Sequence, residues 1–573
     1  MIPKIVKNTL YFVIVSLAML FLGLYLVFMI MVFLPGDPVL VYLPPSFNQA
    51  QYDAMRQALG FNDPLLIQFI RFVFEFFTWN WGISGTIAKG MPTIQLVIPA
   101  IFQTLVFALF PIILGIIAGM VLGVLSVKIR YKIVKILFQI GIILGISLPV
   151  IYAGFNQLYV AFILGLPLLI GEPILPSITL FFITSALMMR QFRSNFIDAH
   201  QEKRHSVPSN IVKLCLNFNL IFMMIVLLEI IFGLNGFGNL FLTAISYLDY
   251  YVVRSMLGVM LFLMITLIAV FGVIFSLYSL FAQDIKLKPV LYITESEEQY
   301  FEETERSEVS FGKDLKQFTI RRFKSPFTYI GLAIVVFAIL LSIFPIILTP
   351  LTYEEAIGIY GGAFDPPSPA HPLGQTQFGR DVLVLMVYGI RFSLILGIYP
   401  VLIGILGGVL ISYLSRFHEA VKMILLAVLT LGFLLPTFAI LIILFNDLGA
   451  IFNMVFIGCL LIPGFTIVFN KSEFKLRNLI KSALTYLPLF MGFTILFFEG
   501  LSFTGFSDPM IFQLGRIISN GRIHLYDAPW ATLWPGIALF ILCIGFFTLH
   551  YGLKEPIVFN YKRIVSGFKR HSE

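Results

Sequence analysis

The feature that most constrains this chain is the recurrence of apolar runs that are long enough to cross a bilayer. A helix needs roughly 20 apolar residues to span about 30 Å of hydrocarbon. Only 12% of the 573 residues are charged and 59% are hydrophobic. About twelve such runs occur, near 10–34, 97–127, 134–163, 173–190, 214–235, 256–282, 327–349, 388–414, 421–445, 450–469, 481–500 and 533–552. The sequence therefore predicts an all-α membrane protein with about twelve transmembrane helices.

Basic residues in the short loops predict the orientation of these helices. Positive charge concentrates in cytoplasmic loops of membrane proteins. One loop contains four basic residues, and the next loop along the chain carries only Glu172. The basic clusters are Lys128, Arg130, Lys132 and Lys135; Arg190, Arg193, Lys203, Arg204 and Lys213; and Lys471, Lys475, Arg477 and Lys481. We expect these clusters and both termini to be cytoplasmic, in a bacterial plasma membrane. The net charge of +8 is explained in this way, without nucleic-acid binding.

Motifs for catalysis or metal binding are missing from the sequence. No G-x-x-x-x-G-K-[ST] phosphate-binding loop occurs, so we expect no ATPase site and no enzyme activity in this chain. The three cysteines, Cys215, Cys459 and Cys543, are far apart and indicate packing rather than a disulfide or metal site.

Two kinds of polar segment divide the chain. Residues 284–325 are charged with both signs and contain no apolar periodicity, as in a solvated cytoplasmic linker. They separate a half at 1–283 from a half at 326–573. Each half has an outer segment after its first span, at about 35–96 and about 350–387. A repeated six-span layout favours a transporter with two related halves.

Each half contains a series of short motifs in a fixed order. The first-half motifs are "FLPGDP" (33–38), "LGFNDPLLIQF" (59–69), "NWGIS" (80–84), "SLPVIYAG" (147–154), "ILPSITL" (174–180) and "EIIFGLNGFGNLFLTAISYLD" (229–249). The second-half motifs are "HPLGQTQFGRD" (371–381), "YGIRFSL" (388–394), "EGLSFTGF" (499–506) and "PWATLWPG" (529–536). Through these motifs the first half resembles the B-type membrane subunit of peptide and nickel ABC importers, and the second half resembles the C-type subunit.

This resemblance implies a fused permease of an ABC importer, most simply for oligopeptides. Its partners would be separate ATPase subunits that hold the ATP, an extracellular solute-binding lipoprotein, the peptide substrate and the lipid membrane. Nickel or another small solute is an open alternative, because the same architecture carries them. A permease that no longer pumps, and acts as a membrane scaffold or peptide sensor, is a second alternative. A secondary transporter is a third, disfavoured because the spans lack several inward acids.

The cytoplasmic loops depart from the family. Family members couple to their ATPase through a loop of two short helices in each half, with an Ala-Ala…Gly signature. Here the first-half loop, 190–214, is short and has Arg204 at the glycine position, and the second-half loop offers little more than 470–480. Residues 195–211 still leave room for a short helix. We expect any ATPase to dock on this loop, through candidate residues Phe196, Ile197, Lys203 and Arg204.

Four other polar residues are candidate sites. Glu229 and Glu499 lie near the end of the fifth span of each half, either along the translocation path or as partly solvated helix-end acids bonded to their own loops. Arg380 and Asp381 are expected to pair and to fix the second-half outer loop.

Overall fold

A computed structural model describes residues 2–32, 37–129, 131–166, 172–200, 207–282, 318–320, 322–323, 325–349, 351–358, 362–414, 416, 454–469, 475–505 and 511–554. Helices dominate this part of the chain, and it contains two isolated β-bridges but no strand. The predicted all-α class is confirmed.

The first half contains ten helices within the described residues. They are α1 (Ile2–Val32), α2 (Gln49–Ala58), α3 (Leu65–Phe77), α4 (Thr93–Lys128), α5 (Lys132–Ser147), α6 (Val150–Ile163), α7 (Ile174–His200), α8 (Val207–Phe232), α9 (Phe237–Ser246) and α10 (Tyr250–Ala282).

The second half adds six helices to the described set, besides a single turn at Tyr353–Ala356. They are α11 (Pro326–Ile343), α12 (Val382–Leu414), α13 (Met454–Phe469), α14 (Leu476–Phe503), α15 (Leu514–Gly521) and α16 (Trp530–Lys554).

Six described helices are long and apolar enough to cross a membrane: α4, α7 as far as Arg193, α11, α12, α14 and α16. The number rises to eight if two sharply bent helix pairs each count as one span. Shorter apolar helices cover Ser16–Val32, Tyr250–Thr266 and Met454–Phe469. The predicted run at 421–445, like most of the 284–325 linker, lies outside the described residues.

One predicted span is broken. The run at 134–163 forms α5 and α6, which meet at an angle of 92°. The break falls at Leu148, which is extended and precedes Pro149. A proline disfavours helical geometry at the residue before it, so a helix ends there. The second bent pair, Leu220–Phe232 with Phe237–Ser246, turns by 81°.

The helix bundle has two faces. We call the end that carries residues 37–92 and 362–381 the cap face, and the end that carries residues 128–129, 131–132 and 475 the opposite face. Helices α4, α7, α10, α12, α13 and α16 run from the cap face to the opposite face.

Close helix packing repeats between the halves. A Cβ on Gly119 in α4 would lie 2.6 Å from the Met188 Cβ in α7, and a Cβ on Gly408 in α12 would lie 2.6 Å from the Phe465 Cβ in α13. Gly119 and Gly408 are each the twenty-seventh residue of their helix. Small residues let membrane helices approach closely, so the same pair of helices is joined in the same register in both halves.

Candidate functional site

A buried carboxyl group joins three helices at the cap face of the first half. Glu229, near the end of α8, has no exposed surface. Its Oε1 accepts a hydrogen bond from Thr104 Oγ1 at 2.5 Å, and its Oε2 accepts one from the Asn239 backbone N–H at 3.0 Å. Asn239 lies in the first turn of α9, where the helix dipole favours negative charge. This contact set, the first carboxyl site, ties α8 to α4 and α9.

The second half contains the same arrangement. Glu499, near the end of α14, is also fully buried. Its Oε1 accepts from Ser393 Oγ at 2.5 Å, and its Oε2 accepts from the Gly515 N–H at 2.5 Å, in the first turn of α15. Ser393 is the twelfth residue of α12, as Thr104 is of α4. In this second carboxyl site, as in the first, the acid accepts one hydrogen bond from a hydroxyl group and one from the first turn of the following short helix.

The sequence left two roles open for these acids. Glu229 and Glu499 are completely enclosed by protein, so neither is a partly solvated acid in this conformation. Each carboxyl group bonds both to the short helix that follows it and to the hydroxyl of a distant span. Contact with a translocated molecule would need another conformation of the bundle.

The backbone before the second span also repeats. Gly82 has φ +88° and its carbonyl accepts from the Thr93 N–H at 2.9 Å. Gly374 has φ +78° and its carbonyl accepts from the Val382 N–H at 3.1 Å. Thr93 and Val382 are the first residues of α4 and α12. In both halves, therefore, a glycine in the left-handed region lies at the start of the loop that leads into the second span.

Each loop is clamped by the start of the last span. In the first half, buried Asp249 accepts through Oδ2 from Ser84 Oγ at 2.6 Å and from the Thr86 N–H at 3.1 Å. In the second half, Trp530 Nε1 donates to the Gln375 carbonyl at 3.1 Å. The sequence analysis did not identify Asp249 as a site residue. Its position, as the acid directly before the first residue of α10, could have indicated it.

Arg380 and Asp381 contact different partners, so their expected pairing is wrong. Arg380 Nε donates to the Gly358 carbonyl at 3.1 Å, and its guanidinium carbon lies 4.8 Å from the centre of the Phe512 ring. Burial lowers the pKa of Arg380, and nearby Arg516 lowers it further. Asp381 Oδ2 lies 2.8 Å from His371 Nδ1. Asp381 Oδ1 also accepts a hydrogen bond from the Val384 N–H, in the first turn of α12, at 3.0 Å. This N-cap role turns the carboxylate away from Arg380.

The two halves contact each other around a small apolar cavity. Aromatic rings meet across the boundary, with centroids 5.8 Å apart for both Tyr152–Phe540 and Phe155–Phe503. In the first half, the cavity is lined by the break between α5 and α6 and by α8. In the second half, it is lined by α14 and α16. Its lining includes Leu148, Met223, Leu227, Leu496 and Leu539. A surface shared by both halves is where a path between them would run.

Two of the four candidate ATPase-coupling residues lie on α7. Phe196 and Ile197 belong to its backbone, which continues to His200, and α8 begins at Val207. Lys203 and Arg204 lie outside the described residues. The two helices take up most of 195–211, where the sequence leaves room for a short helix, so only 201–206 stand between them. In the second half, 470–475 likewise separate α13 from α14. Six residues amount to less than two helical turns.

Comparison with known proteins relates the sequence of this chain to transport permeases. No protein-family model matches the chain. The dipeptide transport system permease protein DppC of Alkalihalophilus pseudofirmus is 25% identical over 265 residues, which cover 41% of this chain and 86% of that protein. Its relatives are peptide-transport permeases.

Two further relatives carry similar names. The dipeptide transport system permease protein DppB of Lactococcus lactis is 29% identical over 186 residues, covering 31% of this chain and 60% of that protein. The glutathione transport system permease protein GsiC of Salmonella paratyphi A is 24% identical over 257 residues, covering 40% and 83%. Each relative corresponds to less than half of this chain. The chain is therefore a multi-pass membrane protein related to peptide-type ABC permeases.

Proposed function

We propose that this chain is a membrane permease of an ABC importer for peptides, with a B-type half and a C-type half joined by the 284–325 linker. The observation that carries the proposal is the repeat of the carboxyl site. Thr104 and Glu229 in one half, and Ser393 and Glu499 in the other, join equivalent helices at equivalent positions. A permease that works through two related halves needs this kind of internal repeat.

Separate subunits would complete the importer in this proposal. An extracellular binding lipoprotein would deliver peptide to the cap face, and ATPase subunits would bind at the opposite face. ATP would be held by those subunits rather than by this chain. Nickel or another small solute is an alternative substrate, because the fold by itself does not fix a substrate.

One observation favours a second candidate, a non-pumping permease that acts as a scaffold or peptide sensor. The connections at 201–206 and 470–475 are both too short for the pair of helices that couples family members to their ATPase. A chain with such connections would dock an ATPase through the ends of α7 and α8, or would not dock one.

Affinity purification of the chain in mild detergent, followed by mass spectrometry, tests the choice. The importer predicts a co-purifying ATPase and a binding lipoprotein, and loss of labelled tripeptide uptake when the gene is deleted. The scaffold predicts that neither ATPase nor uptake depends on the chain. Unchanged peptide uptake after deletion would contradict the importer.

A double variant then tests the docking position. Phe196→Ala with Ile197→Ala should abolish ATPase co-purification, because truncating interface anchors typically costs at least about 2 kcal/mol, roughly thirtyfold in affinity. Ile523→Ala, at a side chain 79% exposed on the cap face, is the control and should retain the ATPase. Retention by the double variant would show that α7 does not dock it.

A further inference from the structure

Arg190 is a cation that has no acidic partner among the residues that the structure describes. It lies in α7, within the apolar stretch Ile174–Arg193, and its side chain is only partly exposed. Its guanidinium carbon lies 5.1 Å from the centre of the Phe493 ring. Within the described part of the chain it makes no ion pair and no hydrogen bond. The sequence had placed Arg190 with the loop cations, but the helix carries it into the contact between the halves.

The surroundings of Arg190 are aromatic. Tyr551 and Tyr486 lie in its neighbourhood. The Phe493 ring packs against Phe547 with centroids 5.1 Å apart. A cation–π contact offsets only part of the cost of removing a charge from water. An ionisable residue kept at this depth is therefore a candidate for function.

Arg190 contacts a ring that lies one helical turn from the cavity between the halves. Leu496 lines that cavity, and Phe493 precedes it by three residues on α14. Because a helix rises 1.5 Å per residue, the backbone of Phe493 lies about 4.5 Å closer to the opposite face than the backbone of Leu496. The cation comes from the first half and the ring from the second half. A separation of the halves would therefore uncover the guanidinium beside the cavity.

The internal repeat does not explain Arg190. In the packing register of the two halves, Met188 of α7 corresponds to Phe465 of α13, so Arg190 corresponds to Ile467. The neighbours Thr466 and Val468 are also uncharged. Packing features such as the carboxyl sites occur in both halves, whereas this charge occurs in one. A single charge beside a shared cavity suits a single bound molecule.

We infer that Arg190 binds the carboxylate of a peptide in the path between the halves, which deepens the proposed function and rests on it. The guanidinium offers a planar pair of donors that matches a carboxylate. The C-terminal carboxylate is the anionic group that unmodified peptides share, whatever their side chains. Arg190 thus selects for a free C-terminus and tolerates many sequences.

Peptide binding to the purified full-length chain in lipid nanodiscs tests this inference. The probes are trialanine and trialanine C-terminal amide, titrated by calorimetry. We expect the wild-type chain to bind the free acid at least about tenfold more tightly, since hydrogen bonds to charged groups contribute on that scale. Arg190→Gln should remove the preference, and Arg190→Lys should keep part of it. Arg71→Gln, which removes an exposed cap-face cation, is the matched control and should keep it all.

Three results would overturn the inference: equal binding of the two peptides by the wild type, binding of neither, or a preference that survives Arg190→Gln. A purely structural Arg190 would give the third result together with a lower melting temperature. Failure of the proposed function is recognised separately, by unchanged peptide uptake in the deletion strain and the absence of a co-purifying ATPase.

Discussion

At the residue scale, the two carboxyl sites show how an apolar bundle accommodates a buried acid. Glu499 is enclosed by protein, yet one oxygen accepts from Ser393 Oγ and the other from the Gly515 N–H. The Ser393 hydroxyl can also donate to the Gly389 carbonyl, at 2.8 Å. Removing the acid therefore leaves the buried Gly515 N–H without a partner among the described residues, which costs more than the bond contributes in net terms.

Glu499→Ala should lower the free energy of unfolding by about 1–3 kcal/mol for this reason. Glu499→Gln keeps an acceptor oxygen and should cost less. Glu354→Ala, which removes an exposed acid from the outer segment, should change little. Chemical denaturation of the purified chain in detergent measures all three. Equal stability of Glu499→Ala and Glu354→Ala would mean that the buried contacts do not support the fold.

The positions of these acids could be predicted from the sequence, but their hydrogen-bond partners could not. Apolar runs and motifs put Glu229 and Glu499 near the ends of their spans. Their hydroxyl partners lie 125 and 106 positions away in the chain, so they become neighbours only through helix packing. Arg190 shows the reverse case, because loop position suggested solvent and the extended helix placed it between the halves.

At the element scale, the loop that precedes each second span depends on glycine for two separate reasons. Gly374 has φ +78°, and a Cβ there would lie 2.5 Å from Trp530 Cδ1 at the start of α16. Gly90 has φ +87° but a Cβ there would meet nothing within 4 Å. The two positions separate backbone strain from steric overlap.

Gly90→Ala should cost about 1–2 kcal/mol, from the left-handed backbone alone. Gly374→Ala should cost about 1–3 kcal/mol more, because the added methyl group displaces the Trp530 ring. Thermal unfolding of both variants, followed by tryptophan fluorescence, checks the order. If the two variants melt at the same temperature, then the loop is not clamped against α16.

The break between α5 and α6 shows what hydropathy alone overlooks. Residues 134–163 are predominantly apolar, and mean hydropathy does not register a change of direction. Pro149 was visible in the sequence, but prolines also occur inside unbroken helices such as α4, which contains Pro99 and Pro111. Only the packing of α6 against α8 and α16 decides that this proline ends a helix.

At the scale of the whole molecule, the first prediction concerns orientation. Charge asymmetry predicts that the cap face is external. Ser368→Cys should react with a membrane-impermeant thiol reagent in intact cells, on a background that lacks the three native cysteines. Tyr131→Cys, at a side chain 76% exposed on the opposite face, should react only after permeabilisation. The reverse labelling pattern would invert the topology, and Gln299→Cys in the linker provides an independent check.

The second prediction at this scale concerns the contact between the halves. A Cβ placed on Gly536 in α16 would lie 3.3 Å from the Tyr152 Cβ in α6. Disulfides join residues whose Cβ atoms are about 3.5–4.5 Å apart, so a small shift would allow a bond. Tyr152→Cys with Gly536→Cys, without the native cysteines, should therefore crosslink the two halves under mild oxidation.

A protease site inserted between residues 284 and 325 makes the crosslink visible. After cleavage, the oxidised double variant should run as one species on a gel without reductant and as two fragments with reductant. Either single-cysteine variant should give two fragments under both conditions. If the halves must move apart for transport, the crosslink should also stop peptide uptake in uncleaved protein, and reductant should restore it. Separate fragments from the oxidised double variant would show that α6 and α16 do not meet, and would remove the basis for a shared path beside Arg190.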